Sequence, residues 1–115
     1  MIIKILGCHG SELTVDEPGG RRLECRTCGF LINDMCMMDA GTVSAGLQEA
    51  DLEKIKNVII SHVHFDHIKG LSLLADNMAG RTRSPIDVWG LIGSELKRLN
   101  LPNLHFLEEG QVVTV

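Results

Sequence analysis

Four residues within one short stretch, His62, His64, Asp66 and His67, carry the donor atoms of a metal site. Imidazole offers a neutral nitrogen and carboxylate a hard oxygen, a mixture that suits Zn²⁺ and also Mn²⁺ or Fe. Residues two apart on a strand project to the same side, so His62 and His64 can reach one ion. At the following turn into a helix, Asp66 and His67 can face a second ion nearby. Taken singly, each residue has an ordinary explanation: Asp66 as a helix N-cap, either histidine as an exposed loop residue. Three histidines and an aspartate between an apolar strand and an amphipathic helix favour metal binding for the set more than for any one member.

The elements that must position this set read as follows. Asn57 to Ser61 is an apolar run too short for a helix, hence a buried strand leading into the loop. Asp66 to Met78 repeats apolar residues at intervals of three and four (Ile68, Leu71, Ala75, Met78), hence a helix leaving it, stopped at Gly80. Upstream, Met1 to Leu6 reads as a strand and Gly7 to Arg22 as a Gly-rich loop with a Pro18-Gly19-Gly20 turn. Thr27 to Asp39 reads as a β-hairpin turning at Asn33-Asp34. Gly41 to Lys56 suits one or two short amphipathic helices, the second capped by Asp51. Downstream, Ile86 to Trp89 is expected as a strand and Ser94 to Leu99 as a short helix with Ser94 as N-cap. Leu104 to Leu107 and Gln111 to Val115 are expected as strands. Alternating strands and helices imply a sheet with helices packed on it.

A chain of 115 residues suffices for one core and not for two. With three Phe, one Trp and no Tyr, that core must be aliphatic, and an aromatic platform for single-stranded nucleic acid is not apparent. The net charge of -4 argues against a general polyanion binder. Arg21, Arg22, Arg26, Arg81 and Arg83 read as solvated loop charges before they read as a phosphate-facing rim. No apolar stretch approaches the roughly 20 residues of a membrane span, and the N-terminus lacks a secretory signal pattern. Four irregularly placed cysteines do not make a disulfide scaffold, so a reducing, cytoplasmic setting is expected. Cys25 and Cys28 form a CxxC pair that leads into a strand and not a helix; ordinary thiols are favoured over a zinc or thioredoxin-like site.

The segment Ser61-His62-Val63-His64-Phe65-Asp66-His67 resembles the HxHxDH motif of the metallo-β-lactamase superfamily. Met38-Asp39-Ala40-Gly41 is similar to the Asp-x-Gly segment that ends a strand before that loop. The continuation Ile68-Lys69-Gly70-Leu71 and the early Gly7-Cys8-His9-Gly10-Ser11 loop resemble class II cyclic-nucleotide phosphodiesterases, with Phe65 where that group favours Leu. The resemblance spans Met1 to about Met78. It implies an α+β fold of the αββα four-layer sandwich kind, of which this chain would supply about half, a mixed sheet with helices on one face. It implies two divalent ions, zinc before manganese or iron, held by His62, His64, Asp66 and His67. Asp66 would also orient the nucleophile, and Asp39 would support the loop without binding metal.

The implied activity is a metal-dependent hydrolase, a phosphodiesterase acting on 3',5'-cyclic nucleotides through a metal-activated hydroxide. The alternatives are a ribonuclease Z-like nuclease, another hydrolase of the fold, or a metal-binding half-domain without catalysis of its own. The expected partner is a small-molecule phosphodiester, with a second copy of the chain as an option and neither membrane nor nucleic acid. A complete site of this family needs a further His, a bridging Asp and a final His. His9 and His105 stand in no fitting motif and read as a loop residue and a partly buried strand residue. Residues 1–115 are therefore expected to be the N-terminal part of a truncated domain.

Overall fold

The computed structural model describes residues 1–43, 46–81, 84–90 and 102–115. Their centre is a six-stranded sheet in the order β1-β4-β5-β6-β7-β8. The strands are β1 (Ile3–Gly7), β4 (Gly29–Ile32), β5 (Cys36–Met38), β6 (Asn57–Ile60), β7 (Asp87–Gly90) and β8 (Leu104–Phe106). The first two pairings, β1 with β4 and β4 with β5, are antiparallel; the remaining three, from β5 through β8, are parallel. The sheet is mixed, as expected of this α+β chain.

Alternation along the strands sorts the side chains onto two faces. Leu31, Met37, Val58 and Ile60 point to one face, where Leu52, Ile55, Leu74 and Met78 cover them. Each such aliphatic side chain taken out of water contributes about 1.5–3 kcal/mol. The helices sit on this face. On the other face lie Ile3, Ile5 and Met38, which are exposed, with Phe30, Ile32, Ile59 and Trp89 half-buried beside them. Cross-strand register joins these residues into one band, through Ile3–Ile32, Ile5–Phe30, Phe30–Met38, Met38–Ile59 and Ile59–Trp89.

The β4–β5 hairpin turns at Asn33 and Asp34, both with positive φ (49° and 60°). This is the backbone that a tight two-residue hairpin needs and that Asn and Asp tolerate. The stretch expected as one loop, Gly7 to Arg22, instead contains β2 (Leu13–Asp16), which pairs with β3 (Arg22–Cys25) as a separate two-stranded sheet. Pro18-Gly19-Gly20 is its turn. The alternation Leu13-Thr14-Val15 was too short to stand out against the surrounding glycines.

Between Gly41 and Lys56 the described helix is only α1 (Glu49–Leu52). One turn has little stability of its own, and buried Leu52 and Ile55 hold the segment down. Gln48, not Asp51, is the N-cap; Asp51 stands at N3 and its carboxylate accepts the Gln48 backbone N–H at 3.1 Å. The helix after the loop comes as α2 (Phe65–Ile68) and α3 (Gly70–Met78), joined at Lys69. Its buried positions are Gly70, Leu74 and Met78, so Leu74 and not Ala75 belongs to the core stripe. Gly80 follows with φ of 74°. Gln111 to Val115 is not in a strand. The helix expected over Ser94–Leu99, and Arg83, lie outside the described residues. Among those described, no helix is long and apolar enough to cross a membrane.

Candidate metal centre

Strands β5 and β6 are parallel neighbours, so the segments that leave their C-terminal ends emerge at the same edge of the sheet. In open α/β sheets this edge is where ligands bind. The first segment begins with Asp39, the second with Ser61 and His62. Asp39 is 3% exposed and has φ of 58°, an unfavourable backbone for a residue with a side chain. Its carboxylate repays that strain with hydrogen bonds. Oδ1 accepts the Ser61 backbone N–H at 2.8 Å and lies 2.9 Å from Ser61 Oγ. Oδ2 lies 2.8 Å from Ser61 Oγ and 2.8 Å from His67 Nδ1.

These bonds decide which histidine nitrogens are free. A carboxylate only accepts, so His67 Nδ1–H donates to Asp39 and Nε2 keeps its lone pair. Ser61 Oγ gives its single proton to Asp39 and can then accept from His62 Nδ1, 3.0 Å away. His62 is thereby left with Nε2 open as well. Tautomers assigned from the network in this way are those of metal-ligating histidines, whose other nitrogen is bonded to protein.

The three imidazoles are gathered together. Ring centroids are 4.6 Å apart for His62 and His64 and 3.9 Å apart for His62 and His67. Asp66 Oδ2 lies 3.4 Å from His67 Nε2. With Nε2 unprotonated, two acceptors face each other there, an arrangement that a cation relieves. Pairwise contacts link His62 with His64 and His67, and His67 with Asp66, and donors of these types suit a divalent ion of borderline softness.

Backbone packing holds the loop against the Asp39 segment. The Ala40 N–H donates to the His67 carbonyl and the Gly70 N–H to the Ala40 carbonyl, both at 2.7 Å. A Cβ on Gly41 would run into the Asp66 and Cys28 carbonyl oxygens, and one on Gly70 would meet the carbonyls of Ala40 and Gly41. Both positions need glycine for close approach.

Two neighbours of this centre were not anticipated from the sequence. Cys28 places its sulfur within 4.8 Å of donor atoms on Asp39 and His67, a potential ligand trio. Burial pushes the Cys28 thiol up, and the carboxylates of Asp39 and Asp66 and the thiol of Cys8 add to it. Glu12 is the second. Its Oε1 meets Lys69 Nζ at 2.6 Å, Thr42 Oγ1 at 3.1 Å and Thr27 Oγ1 at 3.2 Å. The Lys69 hydrogen bond is the main reason its carboxyl lies below the usual range. Lys69 belongs to the loop-to-helix segment, so this ion pair ties the start of the β2–β3 hairpin to it. No spacing in the sequence signals either neighbour, because each contact joins segments far apart in the chain.

Each described arginine meets a carboxylate. Arg21 pairs with Glu17, Arg22 with Asp16, Arg26 with Glu24 and Arg81 with Glu49. His105 lies on β8 against Asp87, 2.8 Å away, and stacks on Trp89. His9 bridges Thr27.

The fold is that of metallo-β-lactamase fold proteins. The chain is similar to the metallo-β-lactamase fold protein YhfI from Bacillus subtilis, with a TM-score of 0.68, 22% identity, and coverage of 97% of this chain and 48% of that one. It is also similar to human tRNase Z, short form (ELAC1), with a TM-score of 0.56, 16% identity, and coverage of 90% of this chain and 43% of that one. The chain thus spans about half the length of the solved structures it matches. Residues 30–91 match the model of the family described as anti-Pycsar protein Apyc1. That is more than half of the chain, and the chain belongs to this family. No curated protein matches it.

Proposed function

We propose that this chain carries the ligand loop of a metal-dependent phosphodiesterase that opens 3',5'-cyclic nucleotides. The observation that carries the metal part is the network from Asp39 through Ser61 and His67, which leaves His62 and His67 with open Nε2 atoms beside His64 and Asp66. His62 and His64 would hold one ion, and Asp66 and His67 the other, with zinc preferred over manganese or iron. When bound, the ions would supply Lewis acidity and lower the pKa of a water molecule. Asp66 would accept or pass on the proton from that water, and Asp39 would hold the imidazoles in their tautomers. The cyclic-nucleotide part is supported by the likeness of Ser61-His62-x-His64-x-Asp66-His67-Ile68-x-Gly70 to class II cyclic-nucleotide phosphodiesterases.

Four donors give each ion two protein ligands, whereas a catalytic zinc ordinarily has three. Further donors have to come from elsewhere, and the reading of residues 1–115 as the N-terminal part of a larger domain accounts for that need. A ribonuclease Z-like nuclease is the second reading, and the likeness to human tRNase Z favours it at the level of fold.

The test has two stages, on the chain and on any longer protein that contains it. Zinc titration against a competing chelator comes first. Retained binding after alanine replacement of all four ligands sinks the metal reading. Turnover of cyclic AMP is then compared with cleavage of a tRNA precursor. Ring opening to a nucleoside monophosphate is expected; cleavage of the RNA alone would replace the cyclic-nucleotide reading with the nuclease one.

A further inference from the structure

We propose that Cys28, Asp39 and His67 form a second cation site beside the ligand loop, in which the Cys28 thiolate takes a soft or borderline ion such as Cd²⁺ or Zn²⁺. One donor atom from each lies within 4.8 Å of the others. Thiolate, imidazole and carboxylate are all zinc ligands, and the sulfur favours the softer ions. Asp39 is buried and the other two are half-buried, so this is not a meeting of freely solvated side chains.

Three segments deliver the trio to one edge of the sheet. β4 runs antiparallel to β5, with Phe30 opposite Met38, so Cys28, just before β4, comes beside the residues that follow β5. The Gly41 N–H donates to the Cys28 carbonyl at 2.9 Å. β6 lies on the other side of β5, and the loop after it brings His67 Nδ1 to 2.8 Å from Asp39. A Cβ on Gly41 would strike the carbonyl oxygens of both Cys28 and Asp66, so the backbones approach closely there. The other cysteines are placed elsewhere. Cys25 stands opposite Leu13 in the separate hairpin, Cys36 stands opposite Ile32 at the far end of β5, and Cys8 is exposed outside the trio.

The ion would stand where a proton stands in its absence. Asp39 Oδ2 and His67 Nδ1 share that proton across 2.8 Å. A tetrahedral ion with bonds of about 2.0–2.2 Å holds its oxygen and nitrogen ligands about 3.4 Å apart. This pair therefore opens slightly while the sulfur draws in. The thiol proton leaves to water, because a thiol that binds a metal is deprotonated. Nδ1 loses its proton and Nε2 gains one from water, so the ring stays neutral. Ser61 keeps its hold on Oδ1. Nε2 is the nitrogen that the phosphodiesterase reading needs open, so on that reading the two uses of His67 exclude each other. The site itself does not rest on that reading, since it uses none of His62, His64 and Asp66.

Cd²⁺ is titrated into the full chain while the ultraviolet charge-transfer band of a cadmium–thiolate bond is followed. The band is expected in the wild-type chain and in Cys8→Ser, Cys25→Ser and Cys36→Ser, and is lost in Cys28→Ser. It persists when His62→Ala, His64→Ala and Asp66→Ala are combined. In His67→Ala its midpoint moves to about 10-fold more cadmium or beyond, the scale for losing even a supporting partner of a ligand. Alkylation reads the same site with Cys28 in place. In the Cys36→Ser chain, tryptic peptide 27–54 carries Cys28 as its one thiol, and cadmium should slow its reaction with iodoacetamide. No band in the wild-type chain, a band kept by Cys28→Ser, or a band lost from the triple variant would each overturn the proposal. So would an unmoved midpoint in His67→Ala, or a Cys28 that cadmium leaves unprotected.

Discussion

The carboxylate of Asp39 lies 2.8 Å from Nδ1 of His67, across the parallel pair β5–β6, and the same carboxylate holds the backbone N–H and the hydroxyl of Ser61. One buried side chain thus fixes both ends of the ligand loop. Replacing Asp39 by Ala should strand the Ser61 N–H and His67 Nδ1–H, at about 1–3 kcal/mol for each unsatisfied group. Zinc affinity should fall about 10–100-fold, as when other supports of ligating histidines are lost. Denaturation of the metal-free protein and chelator competition measure the two effects. Intact zinc affinity with lowered stability would assign Asp39 a purely structural role.

Glycine at position 41 is required by contact, and at position 46 only by backbone angle. Gly41→Ala pushes a methyl group into the Asp66 and Cys28 carbonyl oxygens, whereas Gly46 has φ of 75° and open space around it. The first change should cost about 1–3 kcal/mol as an overpacked site, and also disturb zinc binding. The second should cost about 1 kcal/mol from backbone strain and leave zinc binding alone. Urea midpoints and zinc titrations on the two variants separate these outcomes; equal effects on zinc binding would contradict the close-packing account.

Acid should loosen the tie between the hairpin and the helix. The Glu12 carboxyl is held below its ordinary value, chiefly by Lys69. A depressed folded-state value means that the stabilisation is fully present above the unfolded-state value and disappears as pH falls through the folded-state one. The side chain of Glu12 is 49% exposed, so solvent screening limits the contribution to well under about 1 kcal/mol. Comparing melting temperatures of the wild-type chain and Glu12→Gln should show a gap at neutral pH that closes toward acid. A gap that widens toward acid would refute the assignment.

Asp66 has two proposed duties, ligand and proton acceptor. Asp66→Asn keeps an oxygen donor and removes the charge and the basicity. In a catalytically competent form it should retain bound metal more nearly than turnover, with kcat reduced by about 10²-fold or more, the usual scale for a general acid–base group. Unchanged turnover would remove Asp66 from the proton's path.

The ligand loop was legible because its donors are neighbours in the chain: four of them between an apolar strand and an amphipathic helix. The hairpin turn at Asn33-Asp34 was legible for a similar reason, since the residue types themselves tolerate positive φ. What the sequence hid is non-local. Cys28 approaches Asp39 and His67 only because β4, β5 and β6 align in a particular register, and Glu12 finds Lys69 across a separate hairpin. The one or two short amphipathic helices expected between Gly41 and Lys56 came, among the described residues, as the single turn Glu49–Leu52. The segment's apolar residues do reach the core, as Leu52 and Ile55 show, but burial there needs only one helical turn.

The band formed by Ile3, Ile5 and Met38 on the sheet's outer side bears on how the chain behaves in a test tube. Water ordered against that surface is released whenever two such surfaces meet, and salts excluded from protein surfaces strengthen that tendency. Sulfate or phosphate buffers should therefore drive reversible clustering of the isolated chain, and low ionic strength or a mild detergent should disperse it.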